Sequence, residues 1–474
     1  MSETIKTDIC VIGAGSGGLT VAAGAAQMGA RVVLIEKGRM GGDCLNYGCV
    51  PSKALIAAAH AAEGARRGAA FGITAEPAVA FDKVHAHIHG VIAEIAPHDS
   101  VERFEGLGVR VIKAPARFTS PAEVTADGIR VRARRFVIAT GSTPARPPIE
   151  GLDACPYLTN ETIFDLKERP DHLIVIGGGP IGCELAQALR RLGADVTLLQ
   201  RRTILPKDEP EAVGLVRHRL AREGTDLREN VTIKAVREEH GAVMVRIAEA
   251  GAEHSIAGSH LLVAAGRKAT VDGLGLEAAG IEYTAKGITV DARLRTTNKK
   301  VFAIGDVVGS FRFTHMAGYH GGIVIRNAVF NMPAKVRENA VPWVTYTDPE
   351  LAHVGMTEAE ARERYGNTVR VLRGSFDEND RAHTERETEG LIKAIIGPRG
   401  RAVGATIVGA KAGELIALWV LAISQGIKIG AVASMIIPYP TLSEVSKRAA
   451  GSYYTESLFS PRIRKLVSWL QWLP

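Results

Sequence analysis

Gly41-Gly42-Asp43-Cys44-Leu45-Asn46-Tyr47-Gly48-Cys49-Val50-Pro51-Ser52-Lys53 is the stretch on which the rest of the chain depends. It sets two cysteines five positions apart, and a helix is expected to open at Pro51, a residue favoured in a first turn. A regular helix would hold the two Cα atoms about 8.6 Å apart, whereas a disulfide needs roughly 4.4–6.8 Å. If the pair closes, the backbone between must be distorted, and Gly48 and Asn46 suit that. A thiol in the first turn of a helix feels its positive end, which favours the thiolate. Lys53 follows Cys49 by four residues and so shares its helix face. The reading is a redox dithiol. Two buried thiols that never meet is the bland alternative. A zinc pair lacks both the spacing and a second ligand pair, so no metal ligands are assigned.

Upstream, Asp8 to Ile12 is an apolar run of strand length, followed by Gly13-Ala14-Gly15-Ser16-Gly17-Gly18 and a small-residue helix to Gly29. A second strand, Arg31 to Ile35, ends in Glu36, 18 residues past Gly18. Strand, glycine turn, helix, strand and acid together form a dinucleotide-binding unit. Gly13 permits the turn, Gly15 lets a pyrophosphate approach the backbone, and Gly18 lets helix pack on strand. Glu36 stands where a carboxylate accepts from ribose hydroxyls.

Downstream, Leu173-Ile174-Val175-Ile176-Gly177-Gly178-Gly179-Pro180-Ile181-Gly182 repeats that unit 164 positions later. Gly177, Gly179 and Gly182 match Gly13, Gly15 and Gly18, so two nucleotides are expected. Glu36 is matched by Gln200, and Arg201-Arg202 follow. Losing the carboxylate and adding guanidinium groups suits a 2′-phosphate, so the second nucleotide reads as NADP(H), with NAD(H) the alternative and Lys207 a possible contributor. Solvated loop charges are the plain reading of Arg201 and Arg202. Glu184 lies two residues past Gly182 and could pair with Lys53 if the two reactive rings stack. Cys183 reads as a packed residue.

Between the repeats, His85 and His89 share a helix face without an accompanying carboxylate or Cys, and read as surface. Arg130 to Ala139 is a strand ending at Thr140-Gly141-Ser142, and Pro144, Pro147 and Pro148 mark a linker. Later strands end in Gly266-Arg267 and Gly305-Asp306, the latter an acid placed for a polyol or ribose. Phe313 to Ala317 opens a helix whose N–H groups can face an electron-rich ring edge. From Val341 a third domain is expected, with three strand–helix alternations.

The 474 residues suit about three domains. The charge of +7 comes from 58 basic and 51 acidic residues spread along the chain, with no basic stripe interleaved with aromatics, so nucleic acid is not an expected partner. Cys10, Cys44, Cys49, Cys155 and Cys183 are few and odd in number, which fits a cytoplasmic protein with one catalytic pair. No export leader precedes the first strand, and no run reaches the length of a membrane span.

These motifs, with Ala139-Thr140-Gly141, Tyr346-Thr347-Asp348-Pro349-Glu350 and Pro440-Thr441-Leu442-Ser443-Glu444, resemble the class I flavin-dependent pyridine nucleotide–disulfide oxidoreductases over nearly the whole chain. That family includes dihydrolipoamide dehydrogenase, glutathione reductase and mercuric reductase. The resemblance implies an α/β fold of two Rossmann-like dinucleotide-binding domains and a C-terminal α+β dimerisation domain. By it, residues 1–147 and 269–340 bind FAD, 148–268 bind NAD(P), 341–460 form a homodimer interface, and 461–474 are a tail. Glu36 would hold the FAD ribose and Asp306 the ribityl chain. Ala116, Thr140, Gly141 and Ser142 would line the flavin, Ala317 would lie at its pyrimidine end, and Gly266 is a further cofactor-binding residue. Cys49 would face the flavin and Cys44 would attack substrate, with Lys53 and Glu184 an ion pair near N5. A hydride would pass from NADPH to flavin and on to the Cys44–Cys49 disulfide.

One departure is chemical. Where disulfide reductases of the family carry a His before Pro-Thr, this chain has Tyr439, with the carboxylate partner Glu444 retained. A tyrosine with a free pKa near 10 is a poor base at about neutral pH. Exchange with dihydrolipoamide is therefore expected to be slow. A metal ion or small disulfide becomes the expected acceptor, dihydrolipoamide dehydrogenase the alternative function, and a flavin-binding docking protein recruited by its tail the third. In that tail, apolar residues at 463, 466, 467 and 470 have helical spacing beside basic residues. Packing on the dimer or over the site is the first reading, and peripheral membrane contact the second.

Overall fold

A computed structural model describes residues 3–309 and 311–472. Its first compact unit holds most of the chain up to residue 336, and its second holds residues 178–187, 202–230 and 337 onward. Residues 473 and 474 of the tail lie outside the described residues.

In the first unit, β1 (Thr4–Ile12), α1 (Ser16–Gln27) and β2 (Val32–Ile35) realise the opening motif. The strand begins four residues before the apolar run, because Thr4 to Thr7 pair with β6 (Ile129–Ile138), the side chains of Thr4, Ile5 and Lys6 staying partly wet and Thr7 being buried. β3 (Val109–Ile112), β4 (Arg117–Ser120) and β5 (Glu123–Ala126) complete a sheet of order β3-β2-β1-β6-β5-β4, with the strand Val301–Ala303 also paired to β6. Strands β1, β2, β3 and β6 run parallel, and the last residues of β1, β2 and β6 are buried on both faces of the sheet.

The repeat returns as the strand His172–Ile176, paired in parallel with Asp195–Gln200 and His260–Val263. Its helix spans Pro180–Arg191, so Glu184 lies past the first turn. Three antiparallel strands, Thr232–Glu239, Ala242–Glu249 and Ala252–Gly258, pack Val243, Val245 and Ile247 against Ile174 and Leu261.

The second unit is built on a five-stranded antiparallel sheet. The expected three alternations are present, Glu350–Gly355 leading to the helix Glu358–Tyr365, Arg370–Ser375 to Asp380–Glu385 and Ala402–Gly409 to Ala412–Leu415. Two hairpins, Pro342–Thr345 with Glu350–Gly355 and Leu391–Ile396 with Ala402–Gly409, are added to them. Short turns at Asp348-Pro349 and Pro398–Gly400 bring neighbouring strands together directly, which needs no crossover helix. Trp419 anchors this core fully buried, its indole donating to Ser446 Oγ at 3.1 Å.

Candidate active site

The dithiol segment folds as two helices, α2 (Gly42–Asn46) and α3 (Cys49–Arg67). The helix opens at Cys49, two residues before the expected Pro51, because Gly48 takes the N-cap position at φ −127° and ψ −112°. A Cβ there would sit 3.0 Å from the Asp43 carbonyl oxygen and 3.3 Å from Cys44 Cα. Gly48 therefore supplies the break between the thiols. Asn46 has another task, donating to the Met40 and Gly42 carbonyls at 2.9 Å.

Both cysteines are thiols here. A hydrogen bond from Cys44 is the largest influence holding Cys49 down to about 6, opposed by burial and helped by Thr314 and the Lys53 charge. The same bond is the main reason that Cys44 is pushed far up. The pair thus shares one proton, kept on Cys44, with a thiolate at the first residue of α3. Thr314 Oγ1 lies 3.3 Å from Cys49 Sγ and starts the helix Thr314–Ala328, one turn before Ala317. Cys49 thus faces the element expected beside the flavin. Lys53 lies one turn further along α3, its Nζ 3.4 Å from Ser52 Oγ.

The nucleotide turn lies beside this. Gly13 has φ +105°, and a Cβ there would meet the Ala139 carbonyl oxygen at 2.4 Å. A Cβ on Gly18 would come within 1.9 Å of the Gly13 carbonyl oxygen. Gly15 caps α1 without a side chain, leaving first-turn N–H groups for a phosphate. Glu36 accepts from Ala14 N and Gly38 N, each at 2.6 Å. One bond per oxygen leaves acceptor capacity for ribose hydroxyls. A dinucleotide fits this cradle.

Asp306 accepts from Ser142 Oγ at 2.5 Å. Arg267, which follows Gly266, donates to Ser142 Oγ at 2.7 Å and pairs with Asp43 Oδ1 at 3.0 Å. Asn160 Nδ2 reaches the same Asp43 oxygen at 3.2 Å. The residue beside Cys44 is thereby tied to the expected ribityl-binding acid. Of the remaining lining residues, Ala116 is buried, Gly141 has φ +69°, and the Thr140 hydroxyl donates to the Thr270 carbonyl at 2.7 Å. The Thr140 hydroxyl proton is thereby committed, leaving its oxygen as an acceptor.

In the repeat, Gly177 has φ +116° and Gly179 has open space at its Cβ position, while Gly182 is buried. Arg201 and Arg202 are exposed. Glu184 is buried and accepts from Tyr346 N at 2.9 Å. Tyr439 is exposed, and its hydroxyl donates to Asp380 Oδ2 at 2.9 Å, whereas Glu444 Oε2 is buried without a hydrogen-bond partner. The Asp380 bond pushes the Tyr439 phenol up from its usual value. The His85 and His89 rings lie tilted at 47° with centroids 4.2 Å apart, and His89 Nε2 lies 3.2 Å from the Phe164 carbonyl oxygen.

Sequence reasoning missed Arg267, Asn160, Thr314 and Asp380 as parts of these networks. Arg267 and Thr314 sit in stretches already singled out, next to Gly266 and Ala317. Nothing local marks Asn160 or Asp380.

Comparison with known proteins agrees with this geometry. The family described as "Pyridine nucleotide-disulphide oxidoreductase" matches residues 7–321, and its dimerisation domain matches residues 341–450. The chain is 34% identical over 460 residues to the mercuric reductase of Streptomyces lividans, covering 95% of this chain and 96% of that one. It is 37% identical over 456 residues to the dihydrolipoyl dehydrogenase of Bacillus subtilis, covering 94% and 96%. The HOCl-induced flavoprotein disulfide reductase RclA of Escherichia coli, solved as a Cu(II) complex, superposes with a TM-score of 0.85 at 26% identity, covering 94% of this chain and 99% of that one.

Proposed function

Since this chain belongs to the pyridine nucleotide–disulfide oxidoreductase family, FAD-dependent enzymes with NAD(P)H as electron donor, we propose that it reduces a metal ion or a small disulfide through Cys44 and Cys49. The observation that carries this is the placement of Cys49 at the first residue of α3, its Sγ 3.3 Å from Thr314 Oγ1, with Cys44 on the helix just before the Gly48 break and the Cys49 thiol held down by its neighbours. Bound FAD would supply hydride acceptance from NAD(P)H and onward transfer of the electron pair. The chain's own residues prepare the site for it. The turn from Gly13 to Gly18 takes the pyrophosphate, Glu36 the ribose, and Asp306, oriented by Ser142 and Arg267, the ribityl hydroxyls. Lys53 stabilises the thiolate, and its pairing with Glu184 near the reactive ring belongs to the same proposal.

In the acceptor half, Cys44 gives up its proton and attacks one sulfur of a disulfide. The substrate bond breaks, one half leaving as a thiol with the Cys44 proton and the other held as a mixed disulfide on Cys44. Cys49 thiolate then attacks Cys44 Sγ, so the Cys44–Cys49 bond forms as the mixed disulfide breaks, and the second half leaves as a thiolate that takes a proton from solvent. With a divalent metal ion, both sulfurs bind the ion, two electrons pass to it, and the cysteines end as the disulfide. The metal route asks less of a base, since a bound cation itself displaces thiol protons. Tyr439, hydrogen-bonded to Asp380, is poorly suited to remove them. The mercuric reductase relatives and the Cu(II)-bound RclA support a metal acceptor. The exposed Arg201 and Arg202 favour NADPH. The matched dimerisation domain supports a homodimer, and the odd, sparse cysteines support a cytoplasmic setting.

Cys44→Ala is expected to abolish acceptor turnover while NADPH still bleaches the flavin in stopped flow. Unchanged turnover would take the thiols off the route. The dihydrolipoyl dehydrogenase relatives favour a second reading, with dihydrolipoamide as electron donor and NAD⁺ as acceptor. A brisk steady-state rate with those two reagents would establish it over the first.

A further inference from the structure

The helix Pro461–Leu470 has its own start signals. Pro461 stands in the first turn, and Ser460 Oγ accepts from Ile463 N at 3.4 Å. Yet none of its residues is buried. A helix of 10 residues is too short to be stable alone in water, so its order calls for a surface beyond this chain. Ile463, Leu466, Val467 and Leu470 share one stripe. Trp469 and Trp472 are 64% and 88% exposed. Leu458 and Phe459, at 57% and 63%, extend the apolar surface just upstream. Arg462, Arg464 and Lys465 flank the stripe, and residues 461–472 contain no acidic residue.

We propose that this helix docks the enzyme on an anionic lipid surface. The apolar stripe would enter the headgroup boundary, the tryptophans would sit at the interface, and the three cations would reach lipid phosphates along their apolar stems. A helix of this length spans about 15 Å, half the thickness of a hydrocarbon core, so it lies on the bilayer. No helix among the described residues is long and apolar enough to cross a membrane. Charge decides between lipid and a second copy of the same segment. Two copies would set three cations against three, whereas an anionic leaflet attracts every one. The segment also follows the matched dimerisation domain, which ends at residue 450.

The test is co-sedimentation of the FAD-loaded full chain with phosphatidylcholine vesicles, with and without about a third phosphatidylglycerol. Binding to the anionic vesicles is expected to be tighter by roughly tenfold or more, and weaker at high salt. Arg462→Gln/Arg464→Gln/Lys465→Gln should lose that preference while turnover of a soluble acceptor stays unchanged. A chain ending at Ser460 should lose it too and keep its oligomeric state in analytical ultracentrifugation. Equal binding to both vesicle types, or to neither, would overturn the proposal. So would dissociation of the shortened chain into monomers, since the stripe would then cover a second copy.

Discussion

The two dinucleotide units agree atom for atom at their turns and part company immediately after. Gly13 N donates to the Ile35 carbonyl at 2.8 Å, and Gly177 N donates to the Leu199 carbonyl at 2.9 Å. Both glycines hold positive φ, and a Cβ on either would strike the carbonyl oxygen of Ala139 or Ala264 within 2.5 Å. Even the return loop repeats: Gly41 N reaches the Ala14 carbonyl, and Leu205 N reaches the Gly178 carbonyl, both at 2.9 Å. After that, the first copy folds Gly42 back onto Gly15, where a Cβ would meet Gly15 Cα at 2.6 Å. At the matching positions themselves the space is similar, a Cβ on Gly15 meeting only Gly42 Cα at 3.9 Å and one on Gly179 nothing within 4 Å, so the difference lies in the Gly42 segment laid against the first turn. A turn covered by the thiol segment suits a resident cofactor, and an open turn suits a nucleotide that comes and goes. On the proposed function, one motif would serve as prosthetic site in the first copy and as substrate site in the second, with the loop after it making the difference.

Valine at the two strand ends should separate these roles most sharply. Gly13→Val forces a β-branched residue to positive φ, costing about 1–3 kcal/mol before the carbonyl clash. Gly13→Val is expected to purify without flavin absorbance. Gly177→Val should stay yellow but fail to bleach with NADPH. Two colourless proteins would mean that the units do not act separately.

The next effect is on nucleotide choice. Arg201→Glu/Arg202→Glu should lower kcat/KM for NADPH by roughly 10–100-fold, the worth of one or two charge-assisted hydrogen bonds, and leave the NADH value nearly unchanged. An equal fall with both nucleotides would remove the 2′-phosphate argument. Glu36→Gln tests the matching position in the first unit. It keeps an acceptor for Ala14 N or Gly38 N but loses the charge, so flavin dissociation should quicken by about tenfold in a dilution assay.

The smallest effect concerns the segment that covers the first turn. Cys49 titrates near 6, so its thiolate prevails above that pH and is lost below it. Thr314→Val removes one of the bonds that favour the thiolate. The midpoint of iodoacetamide alkylation against pH should rise, by about one unit or less, and the rate just above pH 6 should fall. A lower midpoint would mean that the hydroxyl does not donate to sulfur.

Much of this was legible in the chain. Glycine spacing sets a turn locally, so both units, their register and the thiol pair could be read directly. Where reading failed, the reason is also specific. The helix start at Cys49 depends on which glycine breaks the chain, and Gly48 and Asn46 look equally able until Asp43 is packed against one of them. The strand–helix alternation of the second unit is legible, but its two hairpins are not, because short apolar runs carry little periodicity.

The amino-acid order alone determined that there are two nucleotide turns, one acidic and one basic at its end, and a dithiol beside the first. Those are constraints within a few residues of each other, imposed by φ, by missing side chains and by charge. Tertiary structure alone decided which distant groups meet. Thr314 reaches Cys49 across 265 positions, Arg267 ties Asp43 to Ser142, and Tyr439 turns to Asp380. In the second unit Lys393, buried on a strand, gathers Glu209 and Glu358 at 2.8 and 2.7 Å. Such partners come together because buried charge must be satisfied wherever packing leaves it, and sequence spacing carries no record of that place.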